Sequence, residues 1–216
     1  MRRAEGGFGL LELLLALAIG LTLLTAASQL FASAHQAWRL QGTAVRMQQD
    51  ARLALLRMAQ DIRMAGMFGC LRLKPGDFPD PANYQVFARP LEVGPSSLSL
   101  VVAELPGHAG DPDWTLLTNC TNEAKVYQGR AQGSDRLLAV PVSRYRYHLE
   151  GKTLYFTRRR DRPQPLIDHV RALQVTHVRL PGRARIDLQL TLYEPALHLK
   201  QHHELSVAIR NPVSTP

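Results

Sequence analysis

The stretch Gly6-Gly7-Phe8-Gly9-Leu10-Leu11-Glu12-Leu13-Leu14-Leu15-Ala16-Leu17-Ala18-Ile19-Gly20 places one carboxylate near the start of an apolar run. Glu12 is the only charged residue from position 8 to position 34. A run of that length is sufficient to cross a bilayer, for which about 20 apolar residues serve. A carboxylate at membrane depth costs roughly 2.5–3.5 kcal/mol on insertion scales, so its presence calls for a compensating partner. Cleavage after Gly7 would leave a free ammonium on Phe8. Glu12 of one chain would then neutralise the Phe8 ammonium of a neighbour when such segments pack together.

This N-terminal pattern resembles the class III signal of type IV pilins and type II secretion pseudopilins. Further stretches look like PilW-type minor pilins: residues 15–21, Arg52-Leu53-Ala54-Leu55-Leu56, residues 61–70 and the terminal Val207-Ala208-Ile209-Arg210-Asn211. The resemblance implies processing by a prepilin peptidase after Gly7, methylation of Phe8 and assembly through Glu12. Its implied partners are other minor pilins, the major pilin, an inner-membrane assembly platform and a tip adhesin. Adhesion, twitching motility and DNA uptake are the usual outputs of such subunits. The chain departs from the major-pilin pattern in lacking a proline near the middle of the anchor, where Gln29 stands.

A conventional secretory signal is the competing reading. Arg2 and Arg3 would form its basic region, residues 10–24 its apolar region, and Ala26-Ala27-Ser28 its cleavage zone. Glu12 counts against it, since a discarded signal has no use for a carboxylate. In either case Arg2 and Arg3 hold the first end in the cytoplasm and send the following domain across the membrane. The expected location is therefore the inner membrane, single-pass, with a periplasmic head that enters an extracellular pilus.

The 216 residues divide into an expected leader (1–7), a transmembrane and assembly half-helix (8–34), a soluble half-helix (35–66) and a β-rich head (67–216). The expected fold class is α+β, a long N-terminal helix packed on an antiparallel sheet. Leu55, Met58, Ala59 and Ile62 fall on one helical face, and Gly66 supplies a stop. Gly42 is the point where this helix is expected to bend or loosen. Trp38 reads as a packing or membrane-interface residue.

Prolines 75, 79, 81, 90, 95 and 106 mark loops and edges. Strands are expected over 97–104 and 137–142, the latter at a sheet edge because of Pro141. Residues 144–149 and 153–157 flank Gly151 as a hairpin. Ile186, Leu188, Leu190 and Leu192 alternate with polar residues as a half-buried strand, with 204–210 pairing nearby.

Cys70 and Cys120 fall in the part expected outside the cytoplasm, where disulfides persist. Two free buried thiols are the alternative reading, and no CxxC pair points to a metal.

The formal net charge of +8 would attract nucleic acid or acidic surfaces, or serve only as a soluble basic surface. Its densest cluster, Arg158, Arg159, Arg160 and Arg162 around Asp161, is a candidate phosphate contact or a solvated loop. His198, His202, His203 and Glu204 invite a metal reading but lack a matched ligand set. Asp111 and Asp113 offer too few oxygens for calcium. No nucleophile, base or metal set converges, so no enzymatic activity, cofactor or metal is expected. A type II secretion pseudopilin of the larger J type shares the anchor logic. A membrane-anchored periplasmic DNA-binding module or enzyme is the reading from another class.

Overall fold

The computed structural model describes residues 9–104, 110–159, 161–180 and 183–210. The expected cleavage site Gly7-Phe8 and Arg160 lie outside the described residues. The chain divides into two compact units, Met1–Arg46 and Met47–Pro216, and helix α1 (Leu10–Met64) crosses the division.

In the first unit α1 is long and apolar enough to cross a membrane, and none of its apolar window is buried. The helix runs on through Gly42, so the ~1 kcal/mol that glycine costs against alanine does not interrupt it. Hydroxyls within the apolar segment satisfy themselves locally. Thr22 donates to the Ile19 carbonyl at 2.8 Å and Ser33 to that of Leu30 at 2.9 Å. Such back-bonding lets a polar group sit in an apolar helix without an external partner.

In the second unit α1 acquires a buried stripe of Met47, Ala51, Ala54, Leu55, Met58, Ala59 and Ile62. The four residues expected on one face are all in it. The helix ends as Gly66 takes a positive φ of 74°, a conformation glycine adopts without a Cβ penalty. The Gly66 N–H then donates to the Val101 carbonyl at 3.2 Å, tying the helix end to the sheet.

The head holds two antiparallel sheets where a single sheet was expected. The larger contains β1 (Leu91–Gly94), β2 (Ser97–Ala103), β3 (Trp114–Thr118), β4 (Ala124–Gln128), β5 (Leu138–Glu150), β6 (Thr153–Arg158) and β7 (Gln164–Ile167). Its strand order is β1-β2-β5-β3-β4, with β6 pairing β5 and β7 pairing β6. The smaller is β10-β9-β8, from β8 (Val170–Leu180), β9 (Arg183–Glu194) and β10 (Leu199–Ala208).

The buried stripe of α1 belongs to one core with Leu98, Leu100, Tyr147 and Leu154 of the larger sheet and Ile186, Leu188 and Leu190 of the smaller. A second core contains Phe78, Phe87, Val101, Trp114, Leu116, Val126 and Val142. Helix α2 (Pro81–Ala88) supplies its Phe87, which meets Trp114 edge-on at 5.4 Å.

The expected strands recur as β2, the β5–β6 hairpin around Gly151 (φ 60°), β9 and its partner β10, while the strand expected over 137–142 is the first part of β5. The edge position expected from Pro141 does not recur. Pro141 lies in β5, which is flanked on both sides. The Glu104 N–H donates to the Pro141 carbonyl at 2.8 Å just past the end of β2. The donor that proline lacks therefore falls where the ladder has already stopped. Helix α2 was hidden among the prolines, yet its start is legible afterwards. Asp80 caps it, accepting from the Ala82 N–H at 3.0 Å, and Pro81 occupies the first turn, where a missing N–H costs nothing.

Candidate assembly site

The apolar half of α1 gives Glu12 its setting. Leu10, Leu11, Leu13, Leu14, Leu15 and Leu17 around it are all exposed in the single chain. The Gly9 N–H donates to Glu12 Oε2 at 3.1 Å, while the Glu12 N–H donates to the Gly9 carbonyl at 3.0 Å. The carboxylate thus reaches back to close its own helix start, as the third-position acid of a capping box does. Its negative charge also opposes the positive end of the helix dipole. Glu12 therefore caps the start of its own helix.

Further along α1, the part inside the head is held by polar contacts. The Tyr147 hydroxyl donates to Asp61 Oδ2, and the Arg57 guanidinium lies 4.1 Å from the Phe156 ring centroid. Burial pushes the Asp61 carboxyl above its ordinary range, partly offset by the Tyr147 bond and Arg57. Burial and the nearby carboxylate also push the Tyr147 hydroxyl upward, and burial raises Tyr145 to about 12. Both tyrosines thus remain protonated donors at neutral pH. These contacts fix the rotation of the helix against β5 and β6.

Cys70 and Cys120 form a disulfide, with Cα atoms 5.3 Å apart across a separation of 50 residues. It links the segment after α1 to the β3–β4 turn. That turn is organised by Asn119, whose Oδ1 accepts N–H groups of Thr121, Asn122 and Glu123 at 3.0 Å each.

The arginine cluster is split by the fold. Arg158 makes a two-pronged pair with Glu104, Nε to Oε1 at 2.5 Å and Nη2 to Oε2 at 2.6 Å, and the Glu104 side chain is 1% exposed. The carboxylate beside it raises Arg158 above its usual value. This guanidinium neutralises a buried acid and is not presented to a phosphate. Arg159 takes a left-handed φ of 58° as the strand ends, and Arg162 is exposed.

The histidines do not converge either. His202 lies on β10 between Glu204 (2.9 Å) and Thr191 (3.0 Å), whereas His203 on the other face meets Gln201 at 3.2 Å. His198 pairs with the Tyr193 hydroxyl at 3.4 Å. Asp111 is bound to Arg130 at 2.7 Å, and Asp113 accepts the Arg144 N–H at 2.8 Å. Among the described residues no group of three or more His, Cys, Asp or Glu is placed to hold a metal.

The Asp61–Tyr147 and Glu104–Arg158 pairs escaped the sequence reading. Asp61 did leave a signal: it stands beside the apolar stripe, next to Ile62. Glu104 left none.

A family model described as the prokaryotic N-terminal methylation motif matches residues 2–28. The match marks the N-terminus as type IV pilin-like, the kind of terminus carried by pilins and pseudopilins and cut by a prepilin peptidase. It ends within the anchor and does not reach the head. No curated protein and no solved structure matched the chain.

Proposed function

We propose that this chain is a non-enzymatic minor pilin of the PilW type. It is cut by the prepilin peptidase after Gly7, methylated on Phe8 and held in the inner membrane by one pass, with its head in the periplasm. It then joins other minor pilins, the major pilin and a tip adhesin on the assembly platform to prime an extracellular fibre. Adhesion, twitching motility and DNA uptake follow from the fibre. The chain is the substrate of the peptidase and performs no catalysis itself. The observation that carries this reading is Glu12, a lone carboxylate on an apolar half-helix with no protein cover. The methylation motif serves pseudopilins equally, so a J-type subunit of type II secretion is the second reading.

Glu12→Gln tests the proposal because glutamine still accepts from the Gly9 N–H while the charge is lost. Removing one member of a buried charge pair costs about 3–5 kcal/mol, which lowers incorporation by orders of magnitude. The expected outcome is normal cleavage to a chain beginning at N-methylated Phe8, normal membrane abundance, and near-absence from sheared pili. Wild-type piliation by Glu12→Gln would leave the carboxylate as a helix cap alone. A mature chain beginning near Ser28 would establish an ordinary secretory signal. Loss of protein secretion with pili intact would assign the subunit to the secretion system.

A further inference from the structure

The face of the larger sheet turned away from α1 carries a band of basic and aromatic side chains. On β5 the two-residue period sends Tyr145 and Tyr147 into the α1 core and puts Val142, Arg144, Arg146 and His148 on the opposite face. Val142 is covered by the second core, whereas Arg144 and Arg146 are exposed. The register sets Val101 beside Arg144, Ser99 beside Arg146, and Ser97 beside His148 on β2. On β6, Thr157 lies beside Arg146 and Tyr155 beside His148.

Two further features complete the band. Arg89, just past the end of α2, and Arg144 line a cavity of about 170 Å³ with Gln85, Glu92 and Ser99. The His148 and Tyr155 rings stack at 5.7 Å and 25°. The Arg144 guanidinium lies 5.8 Å from the Trp114 ring centroid. Among the described residues, no carboxylate comes within 4.0 Å of the guanidinium groups of Arg89, Arg144 or Arg146. The acids near this face are Glu92 beside the cavity, Glu150 at 3.9 Å from His148, and Asp113, whose carboxylate accepts the Arg144 backbone N–H at 2.8 Å without reaching its guanidinium.

We infer that this sheet face is a docking surface for single-stranded nucleic acid. Alternate residues on a strand repeat at about 6.8 Å, so Arg144 and Arg146 stand in line as successive phosphates do along an extended single strand. Guanidinium groups match phosphate oxygens in a two-pronged geometry. The half-buried His148–Tyr155 stack, its His148 side chain 21% exposed, supplies the aromatic surface against which a base rests, and stacking plus a basic track is how single strands are held without sequence preference. A duplex is disfavoured, because its major groove admits a helix or a free two-stranded ribbon and these arginines sit on a sheet face. An acidic protein surface would satisfy the arginines but leave the ring stack without a role. The surface is separate from the 158–162 cluster flagged by charge alone, whose Arg158 is bound to Glu104. It is also independent of processing and pilus assembly, so neither proposal stands or falls with the other.

The test uses the full chain in nonionic detergent and a fluorescein-labelled 20-residue oligo-dT, read by anisotropy over a salt series. Single-strand binding loses about 0.7 in the slope of log affinity against log salt for each phosphate contact removed. Arg144→Ala/Arg146→Ala is expected to weaken binding at least tenfold at ~0.1 M salt and to lower the slope by about 1.4. Arg146→Ala alone, at an exposed side chain, gives half that slope change and guards against a folding artefact. Arg144→Lys/Arg146→Lys retains the slope. Tyr155→Leu weakens binding about tenfold with the slope unchanged, as the loss of one base stack does. Arg162→Ala leaves binding within about twofold, since Arg162 follows the end of β6 and is not one of the strand residues that carry the arginine pair. The inference is overturned by equal affinity for a blunt duplex of the same length, by equal competition from polyglutamate, by a loss from Arg162→Ala matching that of the arginine pair, or by no saturable binding.

Discussion

Residues 10–46 and 47–64 belong to one helix, yet they face different environments. In the first part Leu13, Leu17, Leu24 and Phe31 are all more than half exposed; in the second Met58, Ala59 and Ile62 have no exposure at all. Both stretches are apolar enough to form helix, so propensity does not separate them. What separates them is the arrangement of polar residues. Residues 52, 57, 60 and 63 put arginine and glutamine around a confined apolar stripe, which one protein core can cover. Apart from Glu12 and Thr22, residues 10–24 are apolar all round, and such a helix is satisfied by lipid or by similar helices. The position of the carboxylates follows the same division. Asp61 has a tyrosine from its own head, whereas among the described residues Glu12 has only the N–H of Gly9.

The contrast fails if side chains in the two parts contribute alike to head stability. Ile62→Ala removes a fully buried side chain from between the helix and the sheets and is expected to destabilise the head by about 4 kcal/mol. Leu17→Ala in the same helix should leave the denaturant midpoint of the head unchanged. Chemical denaturation of both variants in detergent, followed by tryptophan fluorescence, makes the comparison. Equal losses would mean that the two parts fold as one cooperative unit.

The disulfide sharpens the contrast from the other side, because it lies entirely within the second unit. Cys70→Ser/Cys120→Ser is expected to lower head stability by about 2–4 kcal/mol, while membrane insertion of the first unit is unchanged. Denaturation and membrane fractionation of the same preparation read both effects. A fall in insertion equal to the fall in stability would contradict the separation.

The smallest effect concerns acid. His177 and His203 face the apolar interior of the smaller sheet, and burial lowers both below the ordinary value of 6.5, with Arg179 and His202 respectively adding to the shift. The His177 Nε2 atom is buried without a hydrogen-bond partner. A depressed histidine stabilises the fold fully above the unfolded value of 6.5, and that stability is lost as pH falls through the lowered folded values. Asp61 acts in the opposite sense, since its raised carboxyl favours the folded state more as pH falls through the carboxylate range. Calorimetry between pH 7.5 and 5.0 should therefore show the melting temperature of the head falling by a few degrees. His177→Leu should reduce the fall. An unchanged fall in that variant would place the acid sensitivity elsewhere.

The sequence alone determined the apolar segment with its single carboxylate, the basic residues ahead of it, the stripe at 55, 58, 59 and 62, the hairpin at Gly151 and the alternating strand at 186–192. Each is a local pattern, set by periodicity or by one residue type where it is costly, and needs no knowledge of what it packs against. The compartment argument for joining Cys70 to Cys120 belongs with them, since only two cysteines were available. Tertiary structure decided the rest. It placed Pro141 in the interior strand β5 and split the head into two sheets. It joined Glu104 to Arg158 across 54 residues and Asp61 to Tyr147 across 86. It also withdrew one arginine from a charge cluster while aligning two others on an open face. Strand order and long-range pairing depend on which of many similar apolar and charged segments meet in space. Residues far apart in sequence carry no periodic signal of that meeting, so only the packed chain reveals whether a given arginine is bound or free.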